Sequence, residues 1–187
     1  SHTGLAARFT RALLVGLTAL VAACGGGGGG GGSTGPLGGI EGTGFAVGGI
    51  SGFGSVFVNG VEFTTTNATI TLNGRTGAAE SELRVGYVVR VRGTINANGT
   101  TGTASAIDYQ NEVKGQISAA NDSASTITVV GQTVVIVGTT LLDSSLAGLK
   151  PSEMLNKFVE VSGFRDPNGN IRATRIEEKV IAAGEFE

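Results

Sequence analysis

From residue 44 onward, apolar and polar residues alternate in short runs that are separated by glycine-rich turns. In the run 87–93, Val89 and Val91 fall on one face of a predicted strand and the arginines between and after them fall on the other. Asn59-Gly60 supplies the two positive-φ residues that a type I′ hairpin turn requires, and we expect further turns at the Asn-Gly pairs 73–74 and 98–99. The pattern therefore predicts short antiparallel strands.

The same order of strands and turns recurs about 70 residues later in the chain. The hairpin predicted over 56–63 corresponds to 126–135, where we expect the turn at Gly131-Gln132. The strand 87–93 corresponds to 157–163, and the turn at 98–99 corresponds to Asn168-Gly169. Solenoid repeats are mostly shorter than this spacing. The recurrence indicates duplication of a small domain, with units at 44–112 and 113–179.

Each unit contains about five predicted strands and a variable connection between the third and the fourth. In the first unit the connection is polar, and residues 75–82 are predicted to form a loop. In the second, leucines at a loosely helical spacing run from Leu141 to Leu155, interrupted by Pro151. Five strands with an insert at this position are typical of an OB-like barrel. We predict an all-β protein with two tandem five-stranded OB-like barrels; the alternative is an open meander in which the units share one sheet.

The segment before the first unit has the layout of a membrane-targeting leader. Arg8 and Arg11 precede an apolar run over 12–23, which is too short to span a bilayer. The run ends in Val21-Ala22-Ala23-Cys24, which resembles the bacterial lipobox and implies lipidation of Cys24 after removal of residues 1–23. The alternative is an ordinary secretory signal with an incidental cysteine. Gly25 replaces the aspartate of an inner-membrane retention signal, which favours the outer membrane.

Low-complexity sequence flanks the predicted units. Residues 24–43 form a glycine-rich linker that cannot bury enough surface to fold. The tail, 180–187, contains Gly184-Glu185-Phe186, which fits either the first strand of a truncated third unit or a last strand of the second unit. Because the chain begins at Ser1 instead of Met, we also expect the amino-terminal end to be incomplete.

Composition narrows the chemistry that the mature chain can perform. The only histidine, His2, lies in the leader, and Cys24 is the only cysteine. Histidine-dependent triads, Cys-His sites and His-metal sites are therefore excluded after processing, and we expect no cofactor. Loss of Arg8 and Arg11 changes the formal net charge from −2 to −4. An acidic chain without basic patches argues against a nucleic-acid partner.

Two kinds of site remain for an enzyme or a metal protein. A carboxylate pair could support glycan hydrolysis, but the acidic residues stand singly or in polar loops, where we expect them to be solvated: Glu62, Glu80, Glu82, Asp108 and Glu160. Asp166 begins a stretch similar to a calcium loop, with Glu177 at its twelfth position, but Ile171 occupies the sixth position, where glycine is needed. A hairpin turn explains that stretch better. We therefore predict no metal site and no catalytic residue.

Ligand binding by an OB-like unit uses exposed aromatic and charged side chains on a sheet face. Most of the aromatic residues fall at strand positions that favour the core. The residues predicted to be exposed enough for a ligand are Phe53, Arg90, Arg92 and Tyr109.

The lipobox, the polyglycine and the segment 52–60, Gly-Phe-Gly-Ser-Val-Phe-Val-Asn-Gly, together resemble the bacterial proteins grouped under DUF5666, a domain of unknown function. The resemblance extends from residue 44 to about 180. It implies tandem OB-like units on a lipoprotein and carries no activity. Apart from Cys24 of the lipobox, it transfers no functional residue.

These observations predict a non-catalytic lipoprotein of the bacterial cell envelope, anchored by Cys24. We expect it to bind or scaffold an envelope protein or a glycan. Two alternatives stay open at this point: a carboxylate-based glycan-processing enzyme and a calcium-stabilised adhesive module.

Overall fold

The computed structural model describes residues 44–180, so Cys24, the glycine-rich linker and the tail from 181 onward lie outside the described residues. The strands of the first unit are β1 (Phe45–Gly49), β2 (Val56–Val58), β3 (Val61–Thr64), β4 (Thr69–Leu72), β5 (Arg75–Thr76), β6 (Val88–Ile95) and β7 (Thr101–Tyr109). Those of the second are β8 (Val113–Asn121), β9 (Thr126–Val129), β10 (Gln132–Val135), β11 (Leu141–Leu142), β12 (Phe158–Arg165) and β13 (Ile171–Glu178). No helix within 44–180 is long and apolar enough to cross a membrane.

The second unit is a closed five-stranded barrel. Its strands follow the order β10-β9-β8-β12-β13, and β13 returns to pair in parallel with β10 at Val134 and Ile171. Numbered along the chain, the five main strands are arranged 1-2-3-5-4-1, which is the order of an OB barrel, and the two-residue strand β11 adds to β13. The predicted all-β, OB-like architecture is confirmed here.

The first unit has the same strand order, but its first and second strands meet through a single bridge. After β1, Ile50 forms an isolated bridge with Val58 of β2, and its backbone also hydrogen-bonds with Gly86 and Tyr87. The turn 51–55 then leads directly into β2, whereas in the second unit β8 continues to Asn121 and pairs with β9 through residues 119–121. The first unit is four residues shorter at this point, which leaves too little chain to complete the ladder. Because the two units form separate sheets, the alternative of one shared meander is wrong.

The gap beside β1 is covered by a turn side chain. Asn59 Nδ2 donates a hydrogen bond to the carbonyl oxygen of Val47, 2.8 Å away. A Cβ atom at Gly48 would overlap the amide of Asn59, so glycine is required for this close approach. Asn59 therefore satisfies part of an edge that would otherwise be open to pairing with another chain.

Each unit has its own apolar core, built from the alternating inward positions that the sequence pattern predicts. In the first unit the most deeply buried aliphatic residues include Val56, Val58, Val89 and Ile107. In the second they include Ile117, Val129, Val161 and Ile176.

The connections between the third and fourth strands differ from the sequence prediction in detail. Residues 75–82 contain β5 and a 3₁₀ turn over Glu80–Glu82 instead of only a loop. The leucine-rich stretch forms β11 and a 3₁₀ turn over Pro151–Met154, with no α-helix. Gly148, at a φ of 80°, and Pro151 both interrupt helical geometry. Leu146 is nevertheless fully buried in the second core, whereas Leu155 is 41% exposed.

The hairpin turn of the second unit lies one residue earlier than predicted. Val130 and Gly131 occupy it, with φ of 47° and 71°, as Asn59 and Gly60 do in the first unit with 53° and 79°. A β-branched residue at positive φ is strained. The side chain of Val130 lies over Gly115, where any Cβ would overlap it, so local packing holds valine in this position.

We expect Val130→Asn to raise the free energy of unfolding by about 1 kcal/mol, because asparagine tolerates the left-handed region better than valine does. Val130 is 65% exposed, so little apolar burial is lost. Urea unfolding of the two proteins measures the difference. The reverse change in the first unit, Asn59→Val, should destabilise, both through the positive φ and through loss of the hydrogen bond to Val47. An asparagine variant no more stable than the parent would contradict the strain argument.

Candidate functional site: the joint between the two units

The polar face of β12 is buried, although its alternating sequence is that of a solvent-exposed strand. Val159 and Val161 point into the second core, so Glu160 and Ser162 point outward. These outward residues are only 6% and 2% exposed. The reason is that one end of the first unit packs against this face of the second.

That end of the first unit is formed by two tyrosines. The rings of Tyr87 and Tyr109 stack with centroids 3.8 Å apart and planes inclined by 9°. Tyr109 lies opposite Val89 in the β6–β7 ladder, and therefore on the core side of the sheet. The prediction that Tyr109 is exposed is wrong, since it is 2% exposed. The second unit covers a barrel end that a single unit would leave open to solvent.

Each tyrosine hydroxyl reaches one glutamate of the second unit. Tyr87 donates to Oε2 of Glu177 at 2.7 Å, and Tyr109 donates to Oε1 of Glu160 at 3.0 Å. The two glutamates are direct cross-strand neighbours in the β12–β13 ladder. Together these four residues form what we call the inter-unit joint. Like charges directly opposite each other destabilise a sheet, so the joint requires compensating donors.

The compensating donors converge mainly on Glu177. Burial alone would raise its pKa, but hydrogen bonds from Lys179, Tyr87 and Arg175 outweigh burial and lower the pKa from 4.5 to about 2. Lys179 Nζ and Arg175 Nε each lie 2.7 Å from a carboxylate oxygen. Glu160 also accepts a hydrogen bond from Asn73 Nδ2, at 3.3 Å.

The tyrosines are held in the neutral, donating form. Burial and then the hydrogen bond to Glu177 raise the pKa of Tyr87 far above its ordinary value. Burial and then the charge of Glu160 do the same for the pKa of Tyr109. Both hydroxyls therefore remain hydrogen-bond donors over the physiological range of pH.

Backbone contacts extend the joint along both strands. Val88 N–H donates to Oγ of Ser162 at 2.7 Å, and Oγ1 of Thr174 donates to the carbonyl oxygen of Gly86 at 2.6 Å. Gly86 has a φ of 89°, and a Cβ there would crowd Arg175. Glycine at this position thus permits the close approach of the two units.

A polar cleft of about 470 Å³ opens beside the joint. Besides the joint residues, its walls carry acidic and basic side chains, which are Arg75, Glu82, Arg84, Asp143, Glu178 and Lys179. The expectation that the acidic residues are all solvated is therefore wrong for Glu160. No local pattern signals this burial, because Tyr109 and Asn73, the partners of Glu160, lie 51 and 87 residues away in the chain.

With the fold and the joint established, comparison with known families identifies the units. The family model described as a domain of unknown function, DUF5666, matches residues 41–108 and again 114–177. The chain belongs to this family. The predicted pair of tandem units is confirmed, since each match falls on one DUF5666 unit of the structure. No curated protein and no solved structure matches the chain.

The protonation chemistry of Glu177 differs from that of a glycosidase acid. A glycosidase pair needs one carboxylic acid with a raised pKa to protonate the leaving group. The pKa of Glu177 is lowered instead, and both of its oxygens accept hydrogen bonds from side chains of this chain. The oxygens of Glu160 are likewise occupied by Tyr109 and Asn73.

The stretch that resembles a calcium loop is a hairpin turn between β12 and β13. Asp166 Oδ1 accepts hydrogen bonds from the backbone N–H groups of Asn168 and Asn170, at 2.9 and 3.0 Å. Glu177 lies along β13, about 20 Å from this turn at about 3.3 Å per residue. It cannot serve as the twelfth ligand. Among residues 44–180, no cluster of three or more His, Cys, Asp or Glu could hold a metal.

Of the other predicted ligand-binding residues, Arg90 and Arg92 share the outward face of β6. Arg90 lies over the ring of Phe45, 5.9 Å from its centroid, and Arg92 forms an ion pair with Asp108 at 3.0 Å. Phe53 is 44% exposed in the turn after β1. Tyr109 points to the opposite side of the sheet from the arginines. A binding role for Phe53, Arg90 or Arg92 stays a prediction.

We expect the stability of the chain to fall as the pH decreases from about 4.5 to about 2. In that window the unfolded chain binds a proton at residue 177 that the folded chain does not, because the folded pKa is lowered. Above about pH 5 this contribution is constant. Urea unfolding at several pH values measures it.

Glu177→Gln removes this proton linkage, so the difference in stability between parent and variant should shrink as the pH falls from 7 to 2. Glu62→Gln, on β3 and outside the joint, controls for the change of charge. A constant difference across this range would contradict the assigned role of Glu177.

Proposed function

We propose that the protein is a non-catalytic lipoprotein of the bacterial cell envelope that presents two rigidly joined DUF5666 units as a binding or scaffolding module. The observation that supports this proposal is the use of the buried polar side chains. The joint residues bind one another across the units, and the carboxylates accept their hydrogen bonds from donors of the same chain. Such a cluster serves to fix geometry instead of reacting with a substrate.

The anchor in this proposal is Cys24. The leader over 1–23 delivers the cysteine, and acyl chains on it hold the protein on the membrane. Residues 25–43 connect this anchor to the folded units. Gly25 after the cysteine favours the outer membrane. The module would meet an envelope protein or a glycan near the membrane surface, without a cofactor and without nucleic acid.

We expect Cys24→Ala to abolish metabolic labelling by radioactive palmitate and to release the protein from the membrane fraction, because Cys24 is the only thiol in the chain. Cys24→Ser is a second non-acylated control of nearly the same size. Labelling of the alanine variant, or its full retention in membranes, would overturn the anchor.

A second candidate function is carboxylate-based glycan processing, which the cross-strand pair Glu160 and Glu177 beside a 470 Å³ cleft favours. The low pKa of Glu177 argues against it. We expect no release of reducing ends from peptidoglycan or soluble oligosaccharides by the purified protein. Turnover that Glu160→Gln abolishes would replace the scaffolding proposal with this one.

A further inference from the structure

Each of the two DUF5666 units has the same two surfaces. The joint uses one surface of the first unit and the other surface of the second unit, so each unit has one surface that the joint does not use. Val89 pairs with Tyr109 in the first unit as Val159 pairs with Glu178 in the second, which fixes the correspondence of the strands. We call the outward face of the fourth and fifth main strands the acceptor face. We call the barrel end that carries the tyrosines in the first unit the docking end. In the joint, the docking end of the first unit sits on the acceptor face of the second.

The docking end of the second unit remains exposed within the described residues. Lys157 takes the place of Tyr87 and Glu178 takes the place of Tyr109, and their side chains form an ion pair at 2.8 Å in which each is 28% exposed. Leu155 and Val180 beside them are 41% and 95% exposed. This end therefore combines two charges of opposite sign with an apolar rim.

The acceptor face of the first unit is also exposed. Arg90 takes the place of Glu160, and Asp108, its direct cross-strand neighbour, takes the place of Glu177. On the adjoining strand, Phe45 and Val47 are 41% and 52% exposed, and Val47 pairs with Arg90 in the β1–β6 ladder. This face therefore presents exposed apolar side chains next to charges of both signs.

The two exposed surfaces complement each other pair by pair. If the docking end of one copy occupies the acceptor face of another as in the joint, the Tyr109–Glu160 contact becomes Glu178 against Arg90. The Tyr87–Glu177 contact becomes Lys157 against Asp108. Both replacements bring opposite charges together. The correspondence of the two repeats determines which residues meet, without any further assumption about their positions.

We propose that the protein self-associates head to tail, with the docking end of the second unit of one copy bound to the acceptor face of the first unit of the next. The contact is heterologous, because the two surfaces belong to different units. Repetition therefore produces a closed ring or an open filament. On a membrane surface such an assembly would convert single tethered modules into a continuous array.

Sedimentation velocity of the full chain in a mild detergent, over a series of protein concentrations, tests the proposal. We expect the mass to rise with concentration, less so at high salt. Arg90→Glu and Glu178→Lys should each weaken association at least about tenfold, since each places like charges in the contact. An equimolar mixture of the two variants should associate again, because each supplies the surface that complements the other.

Arg172→Glu is the matched control, since it makes the same charge change on an exposed residue at the far end of β13, and it should associate like the parent. If circular dichroism shows that Glu178→Lys does not fold, Lys157→Glu with Asp108→Lys forms the second pair. A single monomeric species at every concentration overturns the proposal. So does association that none of the charge variants changes, or a mixture that stays dissociated.

Discussion

Two buried glutamates, side by side on neighbouring strands, determine how this molecule is put together. Glu160 and Glu177 would repel each other on an isolated barrel, and burying them without partners would be strongly destabilising. The stacked tyrosines of the first unit supply the hydroxyl donors, and nearby cations complete the balance at Glu177. Each unit thus completes the other: one supplies acceptors on a strand face, and the other supplies donors at a barrel end.

The joint also explains why two similar units carry different residues at corresponding positions. The pair of tyrosines in the first unit corresponds to Lys157 and Glu178 in the second. The pair of glutamates in the second corresponds to Arg90 and Asp108 in the first. The surfaces that meet inside the chain form a contact between neutral hydroxyls and carboxylates, whereas the corresponding outer surfaces carry charges of both signs. Fold and core are shared between the units, and surface chemistry distinguishes them.

The fold could be predicted from local signals, because each signal acts within one strand or turn. Alternation around Val89 and Val91 marks a half-buried strand, Asn59-Gly60 fixes a hairpin, and the 70-residue recurrence reveals the duplication. Two local details were predicted wrongly because tertiary packing outweighed local conformational preference. Val130 occupies a turn position at positive φ, and Leu146 is buried in a core without being part of a helix.

The site could not be predicted in the same way, because its burial is a property of two units together. The alternation in Val159-Glu160-Val161-Ser162 predicts one buried and one solvated face of the strand. That prediction is the one expected for an isolated barrel. Tyr109, predicted to be exposed, is covered for the same reason. Only the packing of the two units against each other turns these residues into a buried network.

The most direct test of this account is native-state hydrogen exchange of the parent and of Tyr87→Phe. If the joint makes one cooperative body, the slowest amides of both units report the same free energy of opening in the parent. The variant should then lower protection equally in β6 of the first unit and in β9 and β10 of the second, although Tyr87 belongs to neither of the latter strands. Loss of protection confined to the first unit would contradict the claim that the joint unites the two.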